Sequence, residues 1–261
     1  MEGAKPEAAK SEAVRAENIV KRFGTVTALD GVSMHVARGE TLGILGDNGA
    51  GKSTLIKILT GFHQPDSGEV YVDGKPASLG SVDEARALGI ECVYQDLALV
   101  NGLSIYHNLF LNRELLRGGF LKLLDHKTMR RRAREALDEI GVNIPSIDVE
   151  VGQLSGGQRQ AIAVARAVSS NARILLLDEP LAAMGAREAR LIIDLIDRLR
   201  ARGDIAIVMI AHNYAQTLEI CDRVMLMQHG EVTFESHAAT TSAGELLEIV
   251  RREYRAARGV L

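Results

Sequence analysis

Three short stretches of this 261-residue chain carry residue types suited to phosphate and magnesium chemistry. The first is Gly46-Asp47-Asn48-Gly49-Ala50-Gly51-Lys52-Ser53, which follows the pattern G-x-x-x-x-G-K-[ST]. Gly46, Gly49 and Gly51 let successive backbone N–H groups converge on phosphate oxygens, and a helix opening at that point adds the positive end of its dipole. Lys52 then reaches the β- and γ-phosphates, and the Ser53 hydroxyl suits a Mg²⁺ ligand. A glycine-rich turn without a ligand is the competing reading, because so short a pattern arises by chance in about one chain per hundred of this length. Weight therefore falls on the other two stretches.

Ile174-Leu175-Leu176-Leu177-Asp178-Glu179-Pro180 sets four apolar residues before two adjacent carboxylates. The apolar run suits a strand buried on both faces. Asp178 at its end is placed to serve a phosphate-bound Mg²⁺, and Glu179 to polarise an attacking water. Read alone, this is equally an acidic turn after a strand; together with the first stretch it points to a nucleoside triphosphatase. In Leu154-Ser155-Gly156-Gly157-Gln158-Arg159-Gln160, Ser155 stands as N-cap of a helix running through Ala167, a second phosphate-seeking helix terminus.

The elements that must hold these residues follow from periodicity. Short β-branched runs from Val14 to Val36, broken by Gly24 and Gly31, predict an antiparallel hairpin arrangement. Thr41 to Leu45 predicts the strand before the glycine loop, and Leu55, Ile56 and Leu59 the helix after it. Ser81 with Glu84 predicts a capping box, Gly89 a helix end, and Ile90 to Tyr94 a strand. Between about Leu97 and Ile144 charged helical patterns take over, as in an inserted helical subdomain, and the run Arg130 to Arg132 with Arg134 reads as a solvated helix face in preference to a phosphate-binding patch. Strands at Ile174 to Leu177, Ile205 to Ile210 and Val224 to Met227 then alternate with helices at Ala186 to Arg200 and Tyr214 to Ile220, which implies a mainly parallel sheet covered on both faces. Ser242 with Glu245 caps a final helix to about Arg258.

Composition narrows the partners. The chain is 46% apolar and 25% charged, enough for a buried core and too hydrophobic for disorder. Its net charge of −3 offers no global field for nucleic acid or anionic lipid. Cys92 and Cys221 have neither metal-ligand spacing nor a disulfide framework. No apolar run approaches the length of a membrane span, and the first residues lack a secretory leader's apolar centre, so a cytoplasmic protein is expected.

With Leu-Ser-Gly-Gly-Gln at 154–158 between the glycine loop and Asp178, the sequence from about Val14 to Phe234 resembles an ATP-binding-cassette ATPase. The resemblance implies an α/β fold: a P-loop NTPase core with a mainly parallel sheet, an N-terminal antiparallel β subdomain and an inserted α-helical subdomain. With the Ala-, Glu- and Lys-rich start read as a flexible tail (1–13) and the end as a C-terminal helix (241–261), this leaves an ATPase domain at 14–240 with its helical subdomain at about 97–170. Phe23 would stack on adenine, with a core phenylalanine as the other reading. Gln95 would touch Mg²⁺ and the water, and His212 would contact the γ-phosphate. Asn48, Thr54 and Gln158 would join the nucleotide contacts, with ATP and Mg²⁺ as cofactors. Because Ser155, Gly156 and Gly157 cannot reach the nucleotide on their own Lys52, two cassettes would pair head to tail, each ATP clamped between the loop of one and the signature helix of the other. Gly185 stands where most of the family has an aspartate, which removes a carboxylate from the expected contact across that dimer.

The wording around Val93-Tyr94-Gln95-Asp96 and Gly61 to Gly68 is most similar to single-cassette ribose, fructose and xylose importers. That similarity implies permease subunits docked in a groove between Gln95 and the helical insert, at Ser104 to Glu114. It also implies a solute-binding protein beyond them and a place on the cytoplasmic face of the membrane. Importers of other solutes, exporters, and soluble cassettes acting on DNA or ribosomes are the alternatives. The last of these usually carry a coiled-coil insertion, a second cassette or a basic groove, and this sequence has none of them.

Overall fold

A computed structural model describes residues 11–118, 122–182 and 184–257. Two long strands, β1 (Glu12–Phe23) and β2 (Val26–Ala37), form the expected hairpin, and Gly24 at φ +59° makes its turn. Gly31 does not break β2. It lies in a bulge where the register slips between Val32 and Leu29, and its φ of +74° is the left-handed conformation such a bulge requires. β1 starts at Glu12, inside the segment expected as a tail, because Ala13 is 1% exposed and its carbonyl accepts from Asp73 N–H. The rest of the expected tail, 1–10, lies outside the described residues.

β3 (Thr41–Leu45) leads into α1 (Lys52–Leu59), followed by β4 (Ser67–Val72) and β5 (Lys75–Pro76). α2 (Val82–Ala87) has half of its expected capping box: Ser81 Oγ accepts from Glu84 N–H at 3.2 Å, while the Glu84 carboxylate goes to Gly80 N–H, one residue earlier, at 2.8 Å. β6 (Ile90–Val93), α3 (Ile105–Leu109), α4 (His126–Glu139) and α5 (Gly156–Val168) come next. The chain then alternates through β7 (Ile174–Asp178), α6 (Ala186–Arg202), β8 (Ala206–Ile210), α7 (Tyr214–Ile220) and β9 (Arg223–Gln228). β10 (Glu231–His237) and α8 (Ala243–Ala257) complete it.

The strands make two sheets, an antiparallel one in the order β2-β1-β4-β5 and a six-stranded one in the order β10-β9-β3-β8-β7-β6. In the second sheet only β10 runs antiparallel, to β9. β4, β5 and β10 are additions to the expected elements: β5 is two residues long, β4 buries Val70 and Val72, and Val232 and Phe234 alternate with exposed residues along β10.

Side chains alternate faces along each central strand, and both faces are covered. Leu175, Leu177, Ile207 and Met209 join a core with α4, α5 and α6. Leu176, Ala206, Val208 and Ile210 join another with α1 and the antiparallel sheet. Among the described residues the helical insert shares the core of the sheet, since Met129, Ala133 and Leu137 of α4 belong to the first cluster. At about 25 cal/mol per Å² of apolar surface, this two-sided burial is the main force holding the central strands.

Register then places the chemistry. Asp178 pairs with Ile210, Ile44 with Ile210, and Val93 with Leu177, so the ends of β3, β6, β7 and β8 open at one edge of the sheet. Among the described residues no helix is long and apolar enough to cross a membrane.

Candidate nucleotide site

All five residues of β3 are buried, and the chain leaves it through a loop wedged against two neighbours. A Cβ on Gly46 would lie 2.2 Å from Met227 O of β9, and Gly46 has φ +144°. Gly51 is the N-cap of α1 at φ +101°, where a Cβ would meet Ala28 O of β2 at 2.5 Å. Only glycine fits either position, which is why the sequence pattern demands it. With glycine as N-cap, α1 begins without a side-chain cap and its first N–H groups are left to another acceptor.

Lys52 is 5% exposed, and its Nζ donates to Gly46 O at 2.7 Å and Asp47 O at 2.9 Å. Burial lowers its pKa, and Glu179, Asp47 and Asp178 pull it back up. The ammonium is thus held at the centre of its own loop, within the field of both strand-end carboxylates. Asn48 and Gly49 are exposed on the loop; Ser53 is exposed and Thr54 half-buried in the first turn of α1.

Asp178 ends β7 half-buried. Burial above all, then the neighbouring Glu179, raises its pKa, while Lys52 and His212 act against the rise. Glu179 has φ +52°, a left-handed backbone rare outside glycine, with its N–H donating to Ile210 O at 3.2 Å. The carboxylate meets the segment just beyond β8, where Glu179 Oε1 and His212 Nε2 share a 2.6 Å hydrogen bond. Lys52, Asp178, Glu179 and His212 are thereby gathered from three separate segments.

Gln95 is exposed just beyond β6, and Tyr94 before it hydrogen-bonds Thr60 Oγ1 at 3.1 Å. Phe23 at the end of β1 is 44% exposed, not a core residue. Its ring meets His63 edge-on at 5.2 Å between centroids, and Lys21 Nζ lies 5.6 Å from it.

Ser155 caps α5 as expected, within a full capping box. Its Oγ accepts from Gln158 N–H at 3.3 Å, and Gln158 Oε1 accepts from Ser155 N–H at 3.0 Å. A Cβ on Gly157 would stand 2.9 Å from Glu188 Cβ, so glycine there sets the approach of α5 to α6. Among the described residues the hydrogen bonds of Ser155, Gly157 and Gln158 go to this cap and to Glu188, not to the glycine loop. Glu188 was missed in the sequence, although Gly185-x-x-Glu188 has the spacing of an N-cap and its N3 acid.

Only part of the segment expected to dock a permease is free to do so. Ile105, Tyr106, Asn108 and Leu109 of α3 are buried, whereas Leu111 to Glu114 line a cavity of about 580 Å³ with Arg86, Glu91 and Arg166. Glu91, 7% exposed, pairs with Arg113 Nη2 at 2.7 Å across it.

A glycine loop between strand and helix at the open edge of a parallel sheet defines a P-loop nucleoside triphosphatase fold. Comparison with known proteins narrows it. Residues 29–182 match the family model described as ABC transporter. The xylose/arabinose import ATP-binding protein of Sulfolobus acidocaldarius is 44% identical, over 92% of this chain and 94% of its own length. The fructose import ATP-binding protein of Rhizobium meliloti is also 44% identical, over 85% and 87%. A ribose import ATP-binding protein of Chromobacterium violaceum is 40% identical over 91% of this chain, which spans 46% of that longer protein. Among solved structures, an ATP-binding cassette of an ABC transporter in its ADP conformation superposes with TM-score 0.80 at 29% identity, covering 92% of this chain and 98% of that one. A dimeric cassette bound to ADP and Pi gives 0.70 at 27%, covering 86% and 98%. The chain belongs to the ABC transporter family, as one of its ATP-binding cassettes.

Proposed function

We propose that this chain is the ATP-hydrolysing subunit of a carbohydrate importer, working as a head-to-tail dimer beneath separate permease subunits. The observation that carries the enzymatic half is the Glu179–His212 pair, 2.6 Å apart, beside the buried Lys52. In this reading the glycine loop and Lys52 hold the triphosphate, Asn48, Ser53 and Thr54 line it, and Phe23 stacks on adenine from its exposed position. Glu179 accepts the proton of the attacking water, and His212, hydrogen-bonded to it, orients that carboxylate and faces the γ-phosphate. Ser155, Gly156, Gly157 and Gln158 of a second cassette close the other side.

The oxygens of Ser53, Asp178 and Gln95 fit Mg²⁺, a hard cation whose charge would favour the ionised form of the half-buried Asp178. Among the described residues no three His, Cys, Asp or Glu side chains cluster around a metal position, so the ion would come with the phosphates and their waters. Bound there, Mg²⁺ would neutralise charge developing on the phosphoryl oxygens.

The names of the relatives support a sugar as cargo and a membrane permease as partner. The permease would dock in the groove lined by Leu111 to Glu114, placing this chain peripherally at the cytoplasmic face, with a solute-binding protein on the far side and no nucleic acid involved. Capture of the tagged chain from detergent-solubilised membranes, followed by ATPase assays of the complex with candidate sugars and the binding protein, tests the whole reading. A polytopic permease and sugar-stimulated hydrolysis are expected, with Glu179→Gln binding ATP normally and hydrolysing it at least ~10²-fold more slowly. Near-parent hydrolysis by Glu179→Gln overturns the base assignment. Capture without any membrane protein overturns the transport role.

A further inference from the structure

The first turn of α5 carries the donors that a partner's triphosphate needs, and one of them is already taken within the chain. Gly157 N–H donates to Glu188 Oε1 at 3.3 Å. Both Glu188 carboxylate oxygens lie within 3.8 Å of where a Cβ on Gly156 would stand, so the group sits over the glycine pair. Hydrogen bonds from Gly157 N–H and the Ser155 hydroxyl, with backbone N–H groups of Gly185 and Gly156, hold the Glu188 carboxyl below its ordinary range. Gly185, the N-cap of α6, has no side chain with which to cap its own helix, and Glu188 stands in the first turn of that helix.

We propose that Glu188 is an intramolecular stand-in for phosphate: in the separate cassette its carboxylate occupies the N-terminus of the signature helix, and the nucleotide carried by a partner must displace it before the dimer closes. The inference rests on the head-to-tail reading above. An N–H shared between two anions holds each more weakly, and two anions at one helix terminus repel, so the closed dimer forms against this contact. Loss of the γ-phosphate lets the carboxylate return, which favours reopening. Glu188 lies nine residues after Glu179 in the chain, in the first turn of α6.

The test compares ATP-dependent dimerisation of Glu179→Gln with that of Glu179→Gln/Glu188→Gln by analytical ultracentrifugation at saturating ATP and Mg²⁺. Thermal melts confirm equal folding. Removing the charge while keeping the side chain's size tightens the dimer about tenfold, or ~1.4 kcal/mol. Glu188→Asp in the same background, still charged, should not tighten it. An equal or weaker dimer with Gln at 188 overturns the inference alone. If both proteins stay monomeric with ATP, the head-to-tail reading falls, and the inference with it.

Discussion

Asp178 is held in the folded chain against its own preference. Burial raises its pKa above the unfolded value, so ionising it costs stability. The penalty is absent below the unfolded carboxylate pKa and complete above the raised folded one. Asp178→Asn should therefore melt higher than the parent at neutral pH without nucleotide. The gap should close as pH falls into the carboxylate range, and ATP hydrolysis should be lost. Melting curves across pH check it; an Asn variant less stable than the parent at neutral pH contradicts it. Glu179 makes the same trade in its backbone, since a φ of +52° in a non-glycine residue is tolerated only where neighbours enforce it. Its N–H bond to Ile210 O and its side-chain bond to His212 are those neighbours.

At the scale of elements, the glycine loop depends on how closely β2 and β9 approach it. Gly46→Ala would drive a methyl into Met227 O at a φ that alanine avoids, and the loop must shift to relieve it. Such strain costs about 1–3 kcal/mol. The expected outcome is a melting temperature lower by several degrees and ATP affinity reduced at least ~10-fold, read by calorimetry on the folded protein. Unchanged affinity would show that the loop's N–H groups do not set nucleotide binding. The cap of α5 has the opposite character. Ser155 and Gln158 satisfy each other's N–H groups, so the helix start is rigid before any ligand arrives.

Across the whole molecule, the helical insert and the sheet share one core, and a shift of one must be felt by the other. The Glu91–Arg113 pair is a second tie, joining β6 to the end of the segment that lines the groove, with Arg86 Nε a further 3.7 Å from Glu91. Arg113→Ala should lower permease-stimulated ATP hydrolysis at least ~5-fold while basal hydrolysis of the free cassette stays within about twofold, and Arg113→Lys should restore part of the loss. Reconstitution with the captured permease provides the measurement. Equal losses in basal and stimulated rates would assign Arg113 to folding instead.

What the sequence by itself determined was local. The glycine loop, the strand ending in Asp178-Glu179, the Ser155 cap and the spans of β3 and α7 were legible because dihedral limits, capping and apolar periodicity act between residues a few positions apart. Tertiary structure alone decided which of these meet. Strand register set Lys52, Asp178, Glu179 and His212 at one end of the sheet, the pairing of β2 with β1 made Gly31 a bulge instead of a break, and the packing of α5 on α6 put Glu188 on Gly157. The physical reason is that register and helix approach are settled by side chains far apart in the chain competing for the same buried surface, a competition that no local pattern records.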